Sequence, residues 1–310
     1  MIYVDLKGNL GNQLFIYAFA RKVQQKTGEE ICLSTFNLSK YFPSYEMTLN
    51  QYILNDKCHF ENNKLPFYLN SNSILHKIFG KVFKPEYKVR KYFEKIRFRF
   101  LLKFGVLYWM GEDYMNFDFN LLKKYKNIYV NGFWQSHKYF DDIRAILLSE
   151  IVPKEGIKDC NKKLMSTVLN SDSVCVSIRR GDYVYNSKIT KRYYLCDMNY
   201  FTRAVEMLYS WNPKISIICF SDDILWVKEN VKFKCPMYYE SGKDNVSQKL
   251  LLMSSCKYFI LSNSSFSWWA QYLSDGLEVI APSRWYSNGD GKDLYQDKWE
   301  LVPIGDDINE

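Results

Sequence analysis

The sequence predicts an α/β protein with parallel sheets, helices on both sheet faces, and two domains meeting near residue 153. Three observations predict this. Short apolar runs alternate with segments of 3.6-residue periodicity. Clusters of Gly, Asn, Ser, Asp and Arg directly follow the apolar runs, where parallel strands end and ligands bind. At 310 residues the chain can build two cores, and Pro153 and Gly156 mark the clearest break between them.

Taken in order, residues 2–6 form a short strand and 8–12 a turn-rich loop. Leu14, Tyr17, Ala18 and Arg21 then space a helix over 13–27, closed by Gly28. Residues 34–75 show no period and receive no element. Residues 77–104 alternate basic with aromatic or aliphatic side chains and read as helical after Pro85. A strand at 128–133 precedes a helix running to 151. In the second half, strands are expected at 174–178, 215–220, 237–240, 257–261 and 278–281. Helices are expected at 199–209, 224–231, 248–255 and 266–273.

Composition narrows the class. Hydrophobic residues make up 47%, charged residues 25% and aromatics 17%, which excludes a disordered or collagen-like chain. No apolar run approaches the ~20 residues of a membrane span. The N-terminus lacks the basic and apolar regions of a signal peptide, so the cytosol is the expected compartment. The eight cysteines include no CxxC, and three histidines offer little for a metal. A reduced set without a metal site is expected. The net charge of +8 is localised. Residues 77–103 carry ten basic residues against Glu86 and Glu94, and the rest balances at 32 against 32. That stretch suits either an anionic membrane surface or a solvated basic face.

Four strand-end clusters carry the chemistry. Arg179-Arg180 suits an anion through bidentate guanidinium forks. The other reading is that one arginine pairs with Asp182 or another carboxylate and clamps the loop. Ser264 and Ser265 open a helix, either capping it or, with free N–H groups, holding phosphate. Trp268 and Trp269 read as core. Ser221-Asp222-Asp223 reads as a helix cap. Residues 8–13 lack the Lys-Ser/Thr of a P-loop and the third glycine of GxGxxG, but Gly8 and Gly11 let backbone approach a ligand closely. No Asp-x-Asp occurs, so a transferase acting on a diphosphate would use arginine in place of a metal.

These clusters carry a resemblance. Gly8-Asn-Leu-Gly-Asn-Gln-Leu-Phe-Ile-Tyr-Ala-Phe-Ala20 resembles the opening motif of the α-1,2-fucosyltransferases, glycosyltransferase family 11. So do Gly132-Phe-Trp-Gln-Ser-His-Lys-Tyr-Phe140, Ile178-Arg-Arg-Gly-Asp-Tyr183 and Phe220-Ser-Asp-Asp223. The fifth block is Leu252-Met-Ser-Ser-Cys-Lys-Tyr-Phe-Ile-Leu-Ser-Asn-Ser-Ser-Phe-Ser-Trp-Trp-Ala270. The five blocks keep their order from residue 8 to 270.

The resemblance implies a GT-B-like fold, two Rossmann-like domains facing across a cleft. Residues 1–152 would form the acceptor side and 153–310 would bind GDP-fucose. It implies inverting, metal-independent transfer of L-fucose from GDP-β-L-fucose to the 2-hydroxyl of a galactose in a surface glycan, with no cofactor and no nucleic-acid partner. Arg179 and Arg180 would stabilise charge on the departing GDP, with Asp182 orienting them. Gly8, Asn9, Gly11, Asn12 and Gln13 are also similar to the donor-contacting loop of protein O-fucosyltransferases, with Asn12 at the fucosyl-phosphate end. Asp222, Asn263, Ser264, Ser265 and Phe266 fall in the nucleotide-side blocks, although Asp222 and Asp223 also read as support for the fold.

Two positions depart from the family pattern. Ser177 stands where a histidine is usual, and Lys249 where many bacterial members have an acid. Asp5, Glu112, Asp113 and His137, or a donor phosphate oxygen, are open as the proton acceptor. Two other classes fit less of the sequence. A non-catalytic binder of anionic polymer or membrane leaves the five blocks without a purpose. A dinucleotide oxidoreductase has Glu29 and Glu30 near the expected acid position but lacks the third glycine.

Overall fold

The computed structural model describes residues 1–41, 46–62, 96, 98–108, 117–181, 184, 193–287 and 291–305. They form two compact units, Met1–Ile151 and Val152–Glu310. Each is built on one all-parallel sheet flanked by helices, the Rossmann-like pattern expected from the alternation of elements.

In the first unit, β1 (Ile2–Asp5) leads into α1 (Leu10–Thr27), followed by β2 (Ile31–Ser34), α2 (Phe36–Tyr41) and β3 (Cys58–Glu61). After β4 (Val106–Tyr108) and β5 (Ile128–Asn131) comes α3 (Arg144–Glu150). The strand order is β3-β2-β1-β5-β4. The order reverses between β1 and β5, so this sheet has its switch point there.

Helix α1 starts at Leu10, three residues before the expected start. Gly8 turns the chain at φ +71°, a region glycine enters without a Cβ penalty. The helix therefore follows the strand at once, and the carbonyl of Asn9 accepts from the N–H groups of Asn12 and Gln13. Its end is as expected, with Gly28 in the left-handed region donating its N–H to Gln24 O at 2.7 Å.

α1 is buried around almost its whole circumference, including Arg21 and Lys22. Buried charge requires partners. Arg21 forms a bidentate pair with Glu150 at the end of α3, at 2.8 Å from Nε and 2.5 Å from Nη2. Tyr17 donates to the same carboxylate at 2.7 Å, and Lys22 pairs with Asp142.

The second unit contains α4 (Asp159–Asn170), β6 (Asp172–Ile178), α5 (Met198–Trp211), β7 (Ile215–Ser221) and α6 (Ile224–Asn230). There follow β8 (Met237–Tyr239), α7 (Val246–Ser254), β9 (Tyr258–Ile260), α8 (Ser265–Tyr272), β10 (Glu278–Pro282) and β11 (Glu300–Val302). The order is β11-β10-β9-β6-β7-β8. Val174, Val176 and Ile178 of β6, with Ile215, Ile217 and Cys219 of β7, pack against α5 and α6. The alternate residues Cys175, Ile218 and Phe220 are also buried. Both faces of these central strands are covered, which is why they read as unbroken apolar runs.

β2, β3, β4, α4 and β11 were not anticipated. β2 is four residues, β4 and β11 are three, and β3 carries His59 and Glu61 at a sheet edge. Trp268 and Trp269 are fully buried, as expected of core. Among the described residues no helix is long and apolar enough to cross a membrane. Of the basic stretch 77–103, residues 77–95 and 97 lie outside the described residues.

All eight cysteines are free, and only Cys160 is exposed. Burial pushes the thiols of Cys32, Cys58, Cys196 and Cys219 up to about 12. They stay protonated and unreactive at neutral pH. Under native conditions a thiol reagent is expected to modify Cys160 well before the others, with all eight reacting after unfolding. Peptide mapping of the labelled protein checks this.

Candidate active site

The polar clusters sit where the parallel strands end. β6 and β7 pair over seven residues, with Ile178 opposite Ser221. The next residues on each strand continue that register. Arg179 Nη1 lies 2.9 Å from Asp222 Oδ2, and Arg180 Nε lies 3.5 Å from Asp223 Oδ2. The backbone N–H of Arg180 donates to Asp222 Oδ1 at 2.9 Å. The central carbon of the Arg180 guanidinium also lies over the Trp226 ring, 3.3 Å from its centre. The ring and one carboxylate therefore hold the fork while leaving further N–H groups for a ligand.

Asp223 has a second role. It accepts from Trp226 N at 3.3 Å as the cap of α6, so one side chain holds both the ring and the guanidinium above it. At Gly181 a side chain would collide with the Asp222 carboxylate. Both readings of the arginine cluster meet here, because the carboxylates that clamp the loop also aim the guanidiniums. Those carboxylates are Asp222 and Asp223. Asp182, expected to orient the arginines, lies outside the described residues.

Asp222 was expected to bind substrate. Each of its oxygens holds one partner, Arg179 and the Arg180 backbone, so it clamps the loop as the alternative reading has it. Asn263 is turned inward. It is 1% exposed, and its amide donates to the carbonyls of Trp285, at 3.0 Å, and Tyr194. It braces two loops beneath the site. Ser264 caps α8, accepting from Phe266 N at 3.3 Å. Ser265 and Phe266 follow at the half-buried start of that helix, whose first turn carries no acid to compete with an anion.

In the first unit, α1 presents its N-terminus at the end of β1. No acid stands in its first turn either, and the Asn9 side chain does not cap it. Asn9 is exposed, Gly8 and Gly11 are buried, and Asn12 is half-buried. Gln13 is fully buried. Its Nε2 donates to Gly8 O and Glu46 O, and its Oε1 accepts from Leu49 N, Thr48 N and the Thr48 hydroxyl, at 2.8–3.3 Å. No hydrogen-bonding capacity remains for a substrate, so Gln13 is corrected to a staple of the loop. Asn12 differs. Its Oδ1 accepts from Gln135 Nε2 at 2.8 Å, while its Nδ2 donates to no protein group among the described residues.

Gln135 belongs to the second of the five sequence blocks, where sequence alone gives it no role. Of the candidate proton acceptors, Asp5 and His137 each have an oppositely charged neighbour, and His137 Nε2 has no hydrogen-bond partner among the described residues. Asp5 is fully buried, 2.9 Å from the Asn37 amide and 3.0 Å from Lys7 Nζ. His137 pairs with Asp141 through Nδ1. Glu112 and Asp113 lie outside the described residues. A cavity of about 590 Å³ in this unit is lined by Lys22, Lys26 and Asp142. Lys26 follows Asn12 by fourteen residues, about 20 Å along α1, so this cavity is remote from the loop.

Of the two departures from the family pattern, Ser177 is buried and Lys249 half-buried. Ser177 lies within β6 beside Phe220. Lys249 on α7 lies 3.1 Å from Oε2 of Glu240, which is fully buried after β8 and whose Oε1 accepts from Gly242 N at 2.6 Å. Lys249→Met is expected to destabilise the protein by about 3 kcal/mol, because Glu240 is left charged and unpaired. Urea denaturation of both proteins measures this.

Comparison with known proteins accords with this arrangement. The family model "Glycosyl transferase family 11" matches residues 1–302. The Escherichia coli O-antigen biosynthesis glycosyltransferase WbnK is 26% identical over 96% of this chain and 99% of its own length. An E. coli α-1,2-colitosyltransferase is 34% identical over 55% of this chain and 61% of its own. Among solved structures, a mutant of Arabidopsis thaliana FUT1 in complex with GDP has a TM-score of 0.53 at 11% identity, covering 90% of this chain and 69% of that one. POFUT1 in complex with GDP-fucose has a TM-score of 0.50 at 13% identity, covering 98% and 97%. Fold, strand-end chemistry and a match over nearly the whole chain agree: it is a GT-B-type glycosyltransferase and belongs to family 11.

Proposed function

We propose that this enzyme transfers L-fucose from GDP-β-L-fucose, with inversion, to the 2-hydroxyl of a galactose in a bacterial surface glycan. The observation that carries the reading is the arginine pair beyond β6, aimed by Asp222, Asp223 and Trp226. The acceptor hydroxyl attacks the fucose anomeric carbon from the face opposite GDP. The bond to the β-phosphate oxygen breaks, and negative charge builds on the diphosphate. The hydroxyl proton passes to one of the candidate side-chain bases or to a phosphate oxygen of the departing GDP. Arg180 and Arg179 meet that charge with fixed N–H donors. Asn12 Nδ2 and the first N–H groups of α1 meet the fucosyl-phosphate end. Ser264, Ser265 and Phe266 line the nucleotide pocket.

The names of related proteins support the parts of this reading. WbnK is named for O-antigen biosynthesis, and a bovine relative, 22% identical over 55% of this chain, is named a galactoside 2-α-L-fucosyltransferase. The colitosyltransferase shares the α-1,2 linkage in its name, which makes a colitose donor the one to compare with fucose.

Calorimetry in EDTA tests the reading. GDP-fucose is expected to bind without added metal and to bind more weakly to Arg180→Ala, and GDP-fucose with a galactoside is expected to give a 2-linked product. No GDP-fucose binding, or binding only once a divalent metal is restored, overturns it.

We also propose peripheral contact with anionic membrane at the inner face of the plasma membrane, through residues 77–103. Within the described part, Ile96 and Phe100 stand 48% and 59% exposed one helical turn apart, and Phe104 follows at 58%, beside Arg99 and Lys103. Flotation with anionic vesicles at low salt, lost at high salt, is the expected result.

A further inference from the structure

We propose that Gln135 is a positioning residue for the transfer step, and that it acts by fixing which end of the Asn12 carboxamide faces the donor. This rests on the fucosyl-transfer reading above.

A carboxamide has one donating and one accepting end, and free rotation presents either. Here both ends of Asn12 are constrained. Gln135 Nε2 donates to Asn12 Oδ1 at 2.8 Å. The Nδ2 end lies over the backbone of Gly8, in space that a Cβ there would fill. The acceptor end is therefore turned to Gln135. The donor end is left at the start of α1, where it adds to the positive pole of the helix. In the reverse orientation an oxygen would face the phosphate.

The backbone that supplies Gln135 is strained. Trp134 has φ +53°, the one positive φ at a non-glycine among the described residues. A bulky side chain there costs about 1–2 kcal/mol. Directly after it, Ser136 N donates to Trp134 O at 2.9 Å, closing a γ-turn centred on Gln135. Two anchors hold this turn. The Trp134 ring is fully buried and stacks on Phe19 of α1, 3.6 Å between centres and 1° from parallel, and Tyr139 meets both rings edge-on. The same helix therefore carries Asn12 at one end and, seven residues on, the ring that sets the turn opposite it.

The buried Trp134 stack offsets the strain of the turn, and the half-exposed amide–amide hydrogen bond adds about 1 kcal/mol at most. What that bond fixes besides is a donor against the phosphate, which affects the barrier directly.

The experiment measures kcat, KM for GDP-fucose, melting temperature and the side-chain amide resonance of Asn12, assigned by its loss in Asn12→Ala. The proteins are wild type, Gln135→Glu, Gln135→Ala, Asn12→Ala and the double variant Asn12→Ala/Gln135→Glu. A glutamate at 135 accepts from Nδ2 and so inverts the amide. Gln135→Glu is expected to lower kcat about 100-fold with KM little changed. Gln135→Ala, which frees the amide without inverting it, falls between Gln135→Glu and wild type. The double variant is no slower than Asn12→Ala, and the melting temperatures stay together. The Asn12 amide protons move downfield in Gln135→Glu as they gain a carboxylate acceptor.

Wild-type rates in both Gln135 variants, an added loss in the double variant, or an unmoved Asn12 resonance overturns the proposal. If wild type itself transfers no fucose, the functional reading falls, and the Asn12 resonance alone decides whether Gln135 sets the amide.

Discussion

Arg180→Ala is expected to lower kcat by a factor on the order of 10²–10³, about 3–4 kcal/mol of barrier, with the fold retained. The size follows from the geometry. The guanidinium is held over the Trp226 ring and tethered at Nε by Asp223, so little reorganisation remains when charge develops on the leaving diphosphate. Arg180→Lys is expected to recover only a small part, because a single ammonium can neither stack as a plane nor present a fork. Asp223 still caps α6 in both variants, so circular dichroism should match wild type. Steady-state transfer together with GDP-fucose titration checks the prediction. Near-normal turnover in Arg180→Ala would remove this residue from the mechanism.

Glu150→Ala is expected to destabilise the protein by about 3–5 kcal/mol without a direct effect on chemistry. The variant strands the Arg21 guanidinium, whose side chain is 4% exposed, and removes the acceptor of the Tyr17 hydroxyl. The loss propagates because α1 carries Tyr17 and Arg21 on the helix that begins with the loop at residue 8. Replacing Arg21 and Glu150 together with apolar residues of similar volume should recover much of the loss, since no charge is then left buried alone. Urea denaturation of the single and double variants measures both effects.

The sequence carried the second unit more fully than the first. Strands β6 and β7 are covered on both faces, so they stand out as apolar runs, and Asp223 marks the helix that follows β7. β2 and β3 are four residues long and β4 three, too short to show a period.

The site shows the same division. The strand-end positions were legible because local sequence sets them. What each side chain bonds to was not. Gln13 looked like part of a ligand loop, yet its partners are Glu46, Thr48 and Leu49, more than thirty residues away. Asn263 is consumed by Tyr194 and Trp285. Gln135 passed as a motif letter because its partner Asn12 is 123 residues distant. An amide in sequence does not reveal whether its valences are filled, since tertiary packing decides that.

The pairing of β6 with β7 also sets where the chain tolerates changes in length. Arg179 meets Asp222 and Arg180 meets Asp223 because both strands end in step, Ile178 beside Ser221. A residue inserted in either strand would put each arginine one place out of step with its carboxylate and turn the following side chains to the opposite sheet face. Insertions beyond the two carboxylates leave that alignment intact. Engineered changes of length in this unit are therefore expected to be tolerated in the connections that follow Arg180 and Asp223, and the two strands behave as a fixed gauge.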